Sequence, residues 1–390
     1  MSSINCYADL HVHIGRAGGQ MVKVTASADL TLRRIIEYVP RHKGLGIIGI
    51  VDAASPLVQH EIETMIADGV LTPANGGGLL AGDLLLVPAA EIELQCNNRG
   101  SAHYLAYFPG LDEVRAFSAG LKPHMTNPNL STQMIALTPA EAYDLAVACG
   151  GFLIPAHAFT PHKGVLGACV ADLRDVFGAR DLIGLELGLS SDTSMADTVS
   201  SLRHLTFLTS SDAHSLSKIG REYMEFSLEV LNFRSLAEAL RREGDNRLIA
   251  NYGMAPMLGK YHRTYCPVCN TIFTDPDPVF ACPNCPQDKI ILGVWDRLQQ
   301  IADQPSLSPS HRPPYIYQVP LEMLPGIGPK SIKLLIDSVG PEKYILNIAT
   351  PDELSQAVGS RGAQVIKAAR SGMLTLVPGG GGRYGRVKLQ

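Results

Sequence analysis

The sequence predicts an α/β fold with smaller modules on its C-terminal side, and three observations predict it. Seven short apolar runs of strand character alternate with helical or loop-like segments over residues 1–255. Four cysteines then cluster between residues 266 and 285. A Pro/Ser-rich stretch, ADQPSLSPSHRPPY (302–315), leads from there to a helical, basic tail. Strands alternating with helices point to parallel β/α units, so the front of the chain reads as a seven-stranded (β/α)7 barrel. The expected organisation is a barrel over 1–255, a four-cysteine module over 256–300, a linker over 301–319 and a helical tail over 320–390 that closes in a flexible, basic, Gly-rich arm.

The first run is YADLHVH (7–13). In a strand, residues two apart share a face, so Asp9, His11 and His13 lie on one side. Two imidazoles in an apolar strand are costly unless something binds them; a metal ion would do so, and so would a hydrogen-bonded histidine pair. The remaining runs are GIIGIVD (46–52), LLLVPAAEIEL (84–94), AHYLAYF (102–108), GFLIPAH (151–157), LIGLEL (182–187) and LTFLTSSD (205–212). Helix signals separate several of them. In LTPAEAYDLAVACGG, Thr138 caps, Pro139 opens the first turn, Glu141 completes a capping box and Gly150 stops the helix.

Polar residues gather at one end of these runs: His11 and His13, Asp52, His157, and Asp212 with His214 finish strands one, two, five and seven. Glu91 and Glu186 lie late in strands three and six, and His103 early in strand four. Side chains at the C-terminal rim of a parallel barrel converge on one cavity, whereas satisfied core histidines would be scattered. This concentration favours a metal site. The ligand set is His11, His13, Glu91, His103, His157, Asp212 and His214, with Asp52 as a further candidate. Imidazole and carboxylate donors suit zinc, manganese or iron, and seven or eight of them exceed what one ion needs. At least two ions are expected, with Glu91 placed to bridge them. Paired ions serve in-line attack at phosphorus, one activating water and the other neutralising phosphoryl charge.

Composition fits this reading. The chain is 46% hydrophobic and 18% charged, as in a folded protein. It shows no basic-then-apolar leader and no apolar run approaching eighteen residues, so the expected location is the cytoplasm. The net charge of −4 argues against a generic nucleic-acid binder. The halves differ, however: residues 256–390 carry 14 Lys and Arg against 10 Asp and Glu, and residues 1–255 carry 19 against 27. The front half suits cations and the tail suits phosphates. Cys6, Cys96, Cys149 and Cys169 sit among apolar neighbours and read as buried small hydrophobes.

The accessory modules carry more specific signals. Cys266, Cys269, Cys282 and Cys285 follow a Cys-x2-Cys-x12-Cys-x2-Cys spacing, which closes a tetrahedral zinc with no open position and is therefore structural. LEMLPGIGPKSIKLLIDSVG (321–340) resembles a helix–hairpin–helix motif. Gly326 and Gly328 would form its turn, free amides at the next helix start would face a phosphate, and Lys330 and Lys333 would add charge. LSQAVGSRGAQVIKAARSG (354–372) looks like a degraded second copy turning at Gly359 and Gly362. Arg361, Arg383 and Arg386 add to the DNA-binding set.

DLHVH, EIE (91–93), the isolated His103 and His157, and SSDAH (210–214) resemble the ordered motifs of the polymerase-and-histidinol-phosphatase (PHP) superfamily, a family of metal-dependent phosphoesterases with a seven-stranded β/α barrel. The resemblance implies one ion on His11, His13, Glu91 and Asp212 and a second on Glu91, His103 and His157. A third, on His214 and Asp52, stays open, because Ala53 stands where the family has His and GRAGG replaces another expected His. Arg16, Lys163 and Arg221 are candidates for gripping phosphate, and His162 for reaching substrate.

A PHP barrel, a four-cysteine zinc module and helix–hairpin–helix segments, in that order, resemble the endonuclease Q family over nearly the whole chain. The resemblance implies a DNA repair endonuclease that incises 5′ of a deaminated base (uracil, hypoxanthine or xanthine) or an abasic site, leaving 3′-hydroxyl and 5′-phosphate ends. The implied cofactors are two or three catalytic divalent ions (zinc, manganese or magnesium) and one structural zinc. The implied partners are double-stranded DNA bearing such lesions and replication or repair proteins, with no membrane. Asp212, His214 and Glu91 would be catalytic. Alternatives are a small-molecule phosphatase of the histidinol-phosphate kind, a 3′–5′ exonuclease or 3′-end processing enzyme, and a non-catalytic DNA binder with a decayed barrel. A small-molecule phosphatase leaves the accessory modules without a role, and a decayed barrel would not keep seven ligands.

Overall fold

The computed structural model of the chain describes residues 3–96, 100–285 and 289–389. Each of the seven apolar runs contains a strand: β1 (Ile4–Val12), β2 (Ile47–Ile50), β3 (Leu84–Gln95), β4 (Ser101–Tyr107), β5 (Phe152–Pro155), β6 (Gly184–Glu186) and β7 (Thr206–Leu208). β1 pairs parallel with β2, β2 with β3, and β6 with β7. Beyond β7 the chain returns to β1 through a parallel bridge between Val12 and Ala213. β5 leads to β6 through the Ala158 amide, which donates to the Glu186 carbonyl at 2.8 Å. The strands therefore follow one another round a circle.

The uniform parallel order expected from the sequence fails at one place. β3 and β4 form an antiparallel pair, and β4 is antiparallel to β5 as well. Only residues 96–100 separate β3 from β4, far short of the dozen or so needed for a parallel crossover. The reversal places His103, early in β4, directly opposite Glu93, late in β3. An early residue of one strand thereby joins the late residues of the others.

Alternation along β3 sends its side chains into two cores. Leu84 and Leu86 pack with residues of α1 (Leu32–Tyr38), α2 (Pro56–Ala67), α3 (Leu111–Leu121) and α4 (Pro139–Ala148). Leu85 and Val87 pack instead with β8 (Tyr223–Leu228) and α5 (Phe233–Arg241). α4 begins as expected, with Thr138 and Glu141 forming a capping box and Pro139 in the first turn.

The sheet is larger than the seven runs. β8 pairs antiparallel with β1, β9 (Arg247–Gly253) antiparallel with β8, and β10 (Tyr315–Tyr317) parallel with β9. β10 lies in the segment read as a linker, which is fastened to the sheet and not free. Asp303 accepts from the Ser200 amide at 2.7 Å, and buried Arg312 holds Asp197 at 2.9 Å while its guanidinium covers the Phe207 ring.

Past the cysteine module come α6 (Val294–Ile301), α7 (Pro329–Ser338), α8 (Glu342–Asn347) and α9 (Pro351–Arg370). α9 is broken at Gly359, whose φ of 73° only glycine adopts readily. Leu335, Ile345, Leu354 and Ile366 form a core that also takes in Met254 and Leu258. The tail expected to be a flexible arm is a hairpin of β11 (Leu374–Val377) and β12 (Arg386–Leu389). Its glycine turn docks on 257–260: Gly379 and Gly385 donate to the carbonyls of Met257 and Leu258 at 2.8 and 2.9 Å. No helix among the described residues is long and apolar enough to cross a membrane.

Candidate metal centre and active site

The strand ends bring the widely separated polar residues together. The His11 and His13 rings lie 5.2 Å apart, as strand alternation requires. Glu91 sits between the groups. Its Oε1 is 3.4 Å from His11 Nε2, 3.0 Å from His103 Nδ1 and 3.6 Å from His157 Nε2, and its Oε2 is 3.5 Å from His13 Nε2. Asp212 Oδ1 is 3.5 Å from His11 Nε2 and 3.4 Å from His13 Nε2. Three sets of donor atoms are each compact enough to share an ion: His11, His13 and Glu91; Glu91, His103 and His157; His13, Asp212 and His214.

The chemistry of these donors fits metal ions and does not fit a hydrogen-bonded histidine pair. His11 Nε2, His13 Nε2 and Asp212 Oδ1 are buried and, among the described residues, have no hydrogen-bond partner. Leaving buried polar atoms unpaired costs about 1–3 kcal/mol each, and a cation at their meeting point removes that cost. The backbone is strained at the same place. His157 has φ 28° and Asp212 φ 47°, a region that non-glycine residues enter at a cost and that clusters at functional sites.

A second layer aims the first. His11 Nδ1 faces Glu186 at 3.1 Å, and His13 Nδ1 faces Asp52 at 3.0 Å. With those nitrogens donating, each Nε2 presents its lone pair to the cluster. Asp52, a further candidate ligand from the sequence, thus stands behind His13. Its carboxylate is taken by His13, by the Ile14 amide at 2.5 Å and by the Ser131 hydroxyl. Asp9 serves differently again, accepting from the Ser211 amide at 3.0 Å and the Gly220 amide at 2.7 Å, which ties β1 to the loop carrying Asp212.

Electrostatics follow from this crowding. With no cation at the cluster, burial would lower the His11 pKa, but Glu186 and Asp212 outweigh it and hold it well above its usual range, so a bound cation has to displace a proton from Nε2. Burial would raise Glu91, but His103 and Lys23 keep its carboxyl well below the usual range. Burial and the neighbouring His13 push His214 down to about 4.

The cluster lies in a cleft of about 880 Å³. Lys23, Lys163, Lys218, Arg221 and Lys260 line it, as do His162, Tyr261 and Tyr384. Of the proposed phosphate grips, Arg221 and Lys163 are at the cleft; Lys163 is held by Glu93 and Ser101. Arg16 is exposed and not among the lining residues. Lys23, Thr132, Lys260 and Tyr384 escaped the sequence reading, which also gave Glu186 a place on strand six but no role. Tyr384 comes from the C-terminal hairpin, and its hydroxyl accepts from Arg221 at 2.7 Å. Lys260 Nζ lies 4.7 Å from the centre of its ring.

The sulfur atoms of Cys266, Cys269, Cys282 and Cys285 also converge, with Cys269 and Cys282 3.7 Å apart. Zinc–sulfur bonds of about 2.3 Å in a tetrahedron place sulfurs about that far apart. Buried Asp296 braces the module, accepting from the Thr264 and Val279 amides at 2.8 Å. Gly326, Gly328, Lys330, Lys333, Arg361, Arg383 and Arg386 are all exposed and lie outside the cleft lining.

Comparison with known proteins agrees with this architecture. Residues 192–244 match the PHP-associated family. The uncharacterised Bacillus subtilis protein YqxK is 41% identical over 387 residues, covering 98% of this chain and 99% of YqxK. The crystal structure of a lesion-specific endonuclease Q from Pyrococcus furiosus is 31% identical, covering 99% of this chain and 96% of that one, with a TM-score of 0.84. Endonuclease Q in complex with a 27-mer duplex carrying an abasic lesion at the active site gives the same identity and TM-score, covering 99% of this chain and 97% of that one. The chain belongs to the endonuclease Q family of PHP-type proteins.

Proposed function

We propose that this chain is a metal-dependent DNA repair endonuclease that hydrolyses the phosphodiester 5′ of a deaminated base or an abasic site. One observation carries the reading: three buried donor atoms of His11, His13 and Asp212, without a hydrogen-bond partner among the described residues, converge with Glu91 at a cationic cleft. His11, His13, Glu91 and Asp212 would hold one divalent ion and Glu91, His103 and His157 another, with His214 beside them. Such ions, when bound, activate water and neutralise charge on the phosphoryl oxygens. Glu186 and Asp52 fix the imidazole orientations, and Lys218, Arg221 and Lys260 draw the phosphate backbone to the cleft. A poorly paired base leaves the stack more cheaply than a normal one, so a cleft that admits only extruded nucleotides selects damage.

The circle of seven strands is read as the PHP-type barrel over 1–255. Cys266, Cys269, Cys282 and Cys285 are read as the ligands of one structural zinc. The turn at Gly326–Gly328 before α7 and the break at Gly359 are read as two helix–hairpin–helix units, with Lys330, Lys333 and Arg361 on backbone phosphates. Arg383 and Arg386 extend the same surface.

The test is incubation of the purified chain and manganese with end-labelled duplexes carrying a single uracil, hypoxanthine, xanthine or abasic site. Incision 5′ of the lesion is expected, leaving 3′-hydroxyl and 5′-phosphate ends, and Asp212→Asn should abolish it while duplex binding persists. Hydrolysis of histidinol phosphate with every duplex intact would establish the small-molecule alternative instead.

A further inference from the structure

Glu93 follows Glu91 on β3 after one intervening residue, so alternation turns both carboxylates to the same face. The antiparallel register sets Glu93 directly opposite His103 on β4. The His103 ring stands between the two acids: Nδ1 is 3.0 Å from Glu91 Oε1 and Nε2 is 3.6 Å from Glu93 Oε2. His11, His13 and His157 instead turn Nε2 to Glu91, so His103 meets the cluster by its other nitrogen. Glu93 is itself anchored. Its Oε1 accepts from Lys163 Nζ and, at 2.6 Å, from the Ser101 hydroxyl, which accepts from the same ammonium at 2.8 Å. The Lys163 carbonyl meanwhile accepts from the His103 amide at 2.9 Å. Lys163 holds φ 64°, a region that non-glycine residues enter at a cost.

We propose that Glu93, anchored by Lys163, is a positioning residue that keeps His103 as an Nδ1 donor toward an ion shared with Glu91 and His157. The inference rests on the metal-dependent reading above. A neutral imidazole carries one proton, and the nitrogen that holds it has no lone pair for a cation. A carboxylate facing Nε2 favours the proton there, which leaves the Nδ1 lone pair directed at Glu91. Orientation matters as much as the proton. The ring torsion has two broad wells, and the flipped one would turn carbon to both carboxylates. Only the observed well sets a nitrogen against each acid. Lys163 decides which oxygen of Glu93 is left for this task. With Oε1 taken by the ammonium and by Ser101, Oε2 is the oxygen that faces the ring. The same lysine holds the His103 backbone through its carbonyl, so one loop residue fixes both the strand and the acid behind the imidazole.

Full chain carrying isotope-labelled histidine and loaded with zinc reports the protonated nitrogen of each ring in long-range proton–nitrogen correlation spectra. His103, identified by the signal missing from His103→Gln, should show Nδ1 bound to metal and a proton on Nε2. In Glu93→Ala that proton should be lost to exchange with water. A wild-type His103 bound through Nε2, or an unchanged Nε2 proton in Glu93→Ala, would overturn the proposal. In chelator competition with manganese, Glu93→Ala should release one ion at about 10–100-fold lower chelator concentration than the wild type. Glu93→Gln, which keeps the size and loses the charge, should shift release in the same direction by less. Wild-type release by both variants would also overturn the proposal. Should Glu93→Ala fail to fold, Glu93→Gln and the wild-type spectrum decide. A chain that shows the Nδ1-bound ring yet leaves lesion-bearing duplex intact would contradict the nuclease reading and not this one.

Discussion

The Glu186 carboxylate lies 3.1 Å from His11 Nδ1 and also accepts the His157 amide at 2.8 Å. One acidic residue on β6 thus sets the ring of a donor on β1 and the backbone of another after β5. Glu186→Gln keeps the size of the side chain but removes the charge that favours a donating Nδ1. Loss of such an outer partner typically costs about 10–100-fold in metal affinity. Competition with a chelator should show manganese leaving the strand-end cluster of Glu186→Gln at lower chelator concentration, while any zinc held by the four cysteines stays in place.

Glu222 is fully buried, and one of its oxygens has no hydrogen-bond partner among the described residues. Burial raises its pKa to about 8 from an ordinary 4.5. The folded chain therefore keeps a proton that the unfolded chain releases above 4.5. Stability from this group is fully present below pH 4.5 and is lost as pH rises through 8. Glu222→Gln should remove that loss, so its Tm advantage over wild type should grow between about pH 5 and pH 8. Thermal denaturation across that range checks the sign, and a constant difference would contradict it.

Tyr384 closes the cleft from the far end of the chain. Tyr384→Phe deletes the hydroxyl that accepts from Arg221 but keeps the ring beneath Lys260. A hydrogen bond to a charged group contributes about 1.5–3 kcal/mol, so the guanidinium should loosen and KM for lesion-bearing duplex should rise by roughly tenfold. The manganese content of the barrel should not change, because Tyr384 belongs to none of the donor sets.

The convergence of imidazoles and carboxylates is legible in the sequence because its signals are local. Alternation fixes His11 and His13 on one face, and polar residues at strand ends stand out against apolar runs. Strand direction is not encoded in alternation; the signal for the reversal of β4 that carries His103 inward is instead the gap between the third and fourth runs (84–94 and 102–108), too short for a parallel crossover. Lys23 and Lys260 look like ordinary surface bases until the fold closes over them. The docking of the tail is hidden for a related reason: sequence shows the helices but not what they pack on. Lys343 is buried, lies 3.8 Å from the centre of the Tyr223 ring and donates to the Gly220 carbonyl at 2.5 Å. Glu342 pairs with buried Lys43 at 2.5 Å.

From the sequence, removing 320–390 would weaken DNA binding and spare the barrel. The structure predicts more. The truncation strips Lys343 from Gly220, whose amide holds Asp9 behind the cluster, and exposes Met254 and Leu258. The truncated chain should melt more than about 5 °C below the full chain and retain less barrel manganese. Calorimetry together with metal analysis measures both.

Duplex binding should separate the cleft from the hairpin surface. Lys330 and Lys333 are exposed on α7, and Lys333 is paired with Asp337 one turn on. An exposed pair of this kind contributes about 0–1 kcal/mol, so neutralising either lysine should leave folding intact. Removing one lysine from a backbone phosphate should reduce the slope of log K against log salt by about 1. Lys330→Ala with Lys333→Ala should therefore flatten the slope by about 2 for damaged and undamaged duplex alike, because binding to phosphates carries no base information. Preference for the lesion should survive if that choice is made at the cleft. Fluorescence anisotropy titrations from low to high salt measure the slope, and a change confined to damaged duplex would place the two lysines in lesion recognition instead.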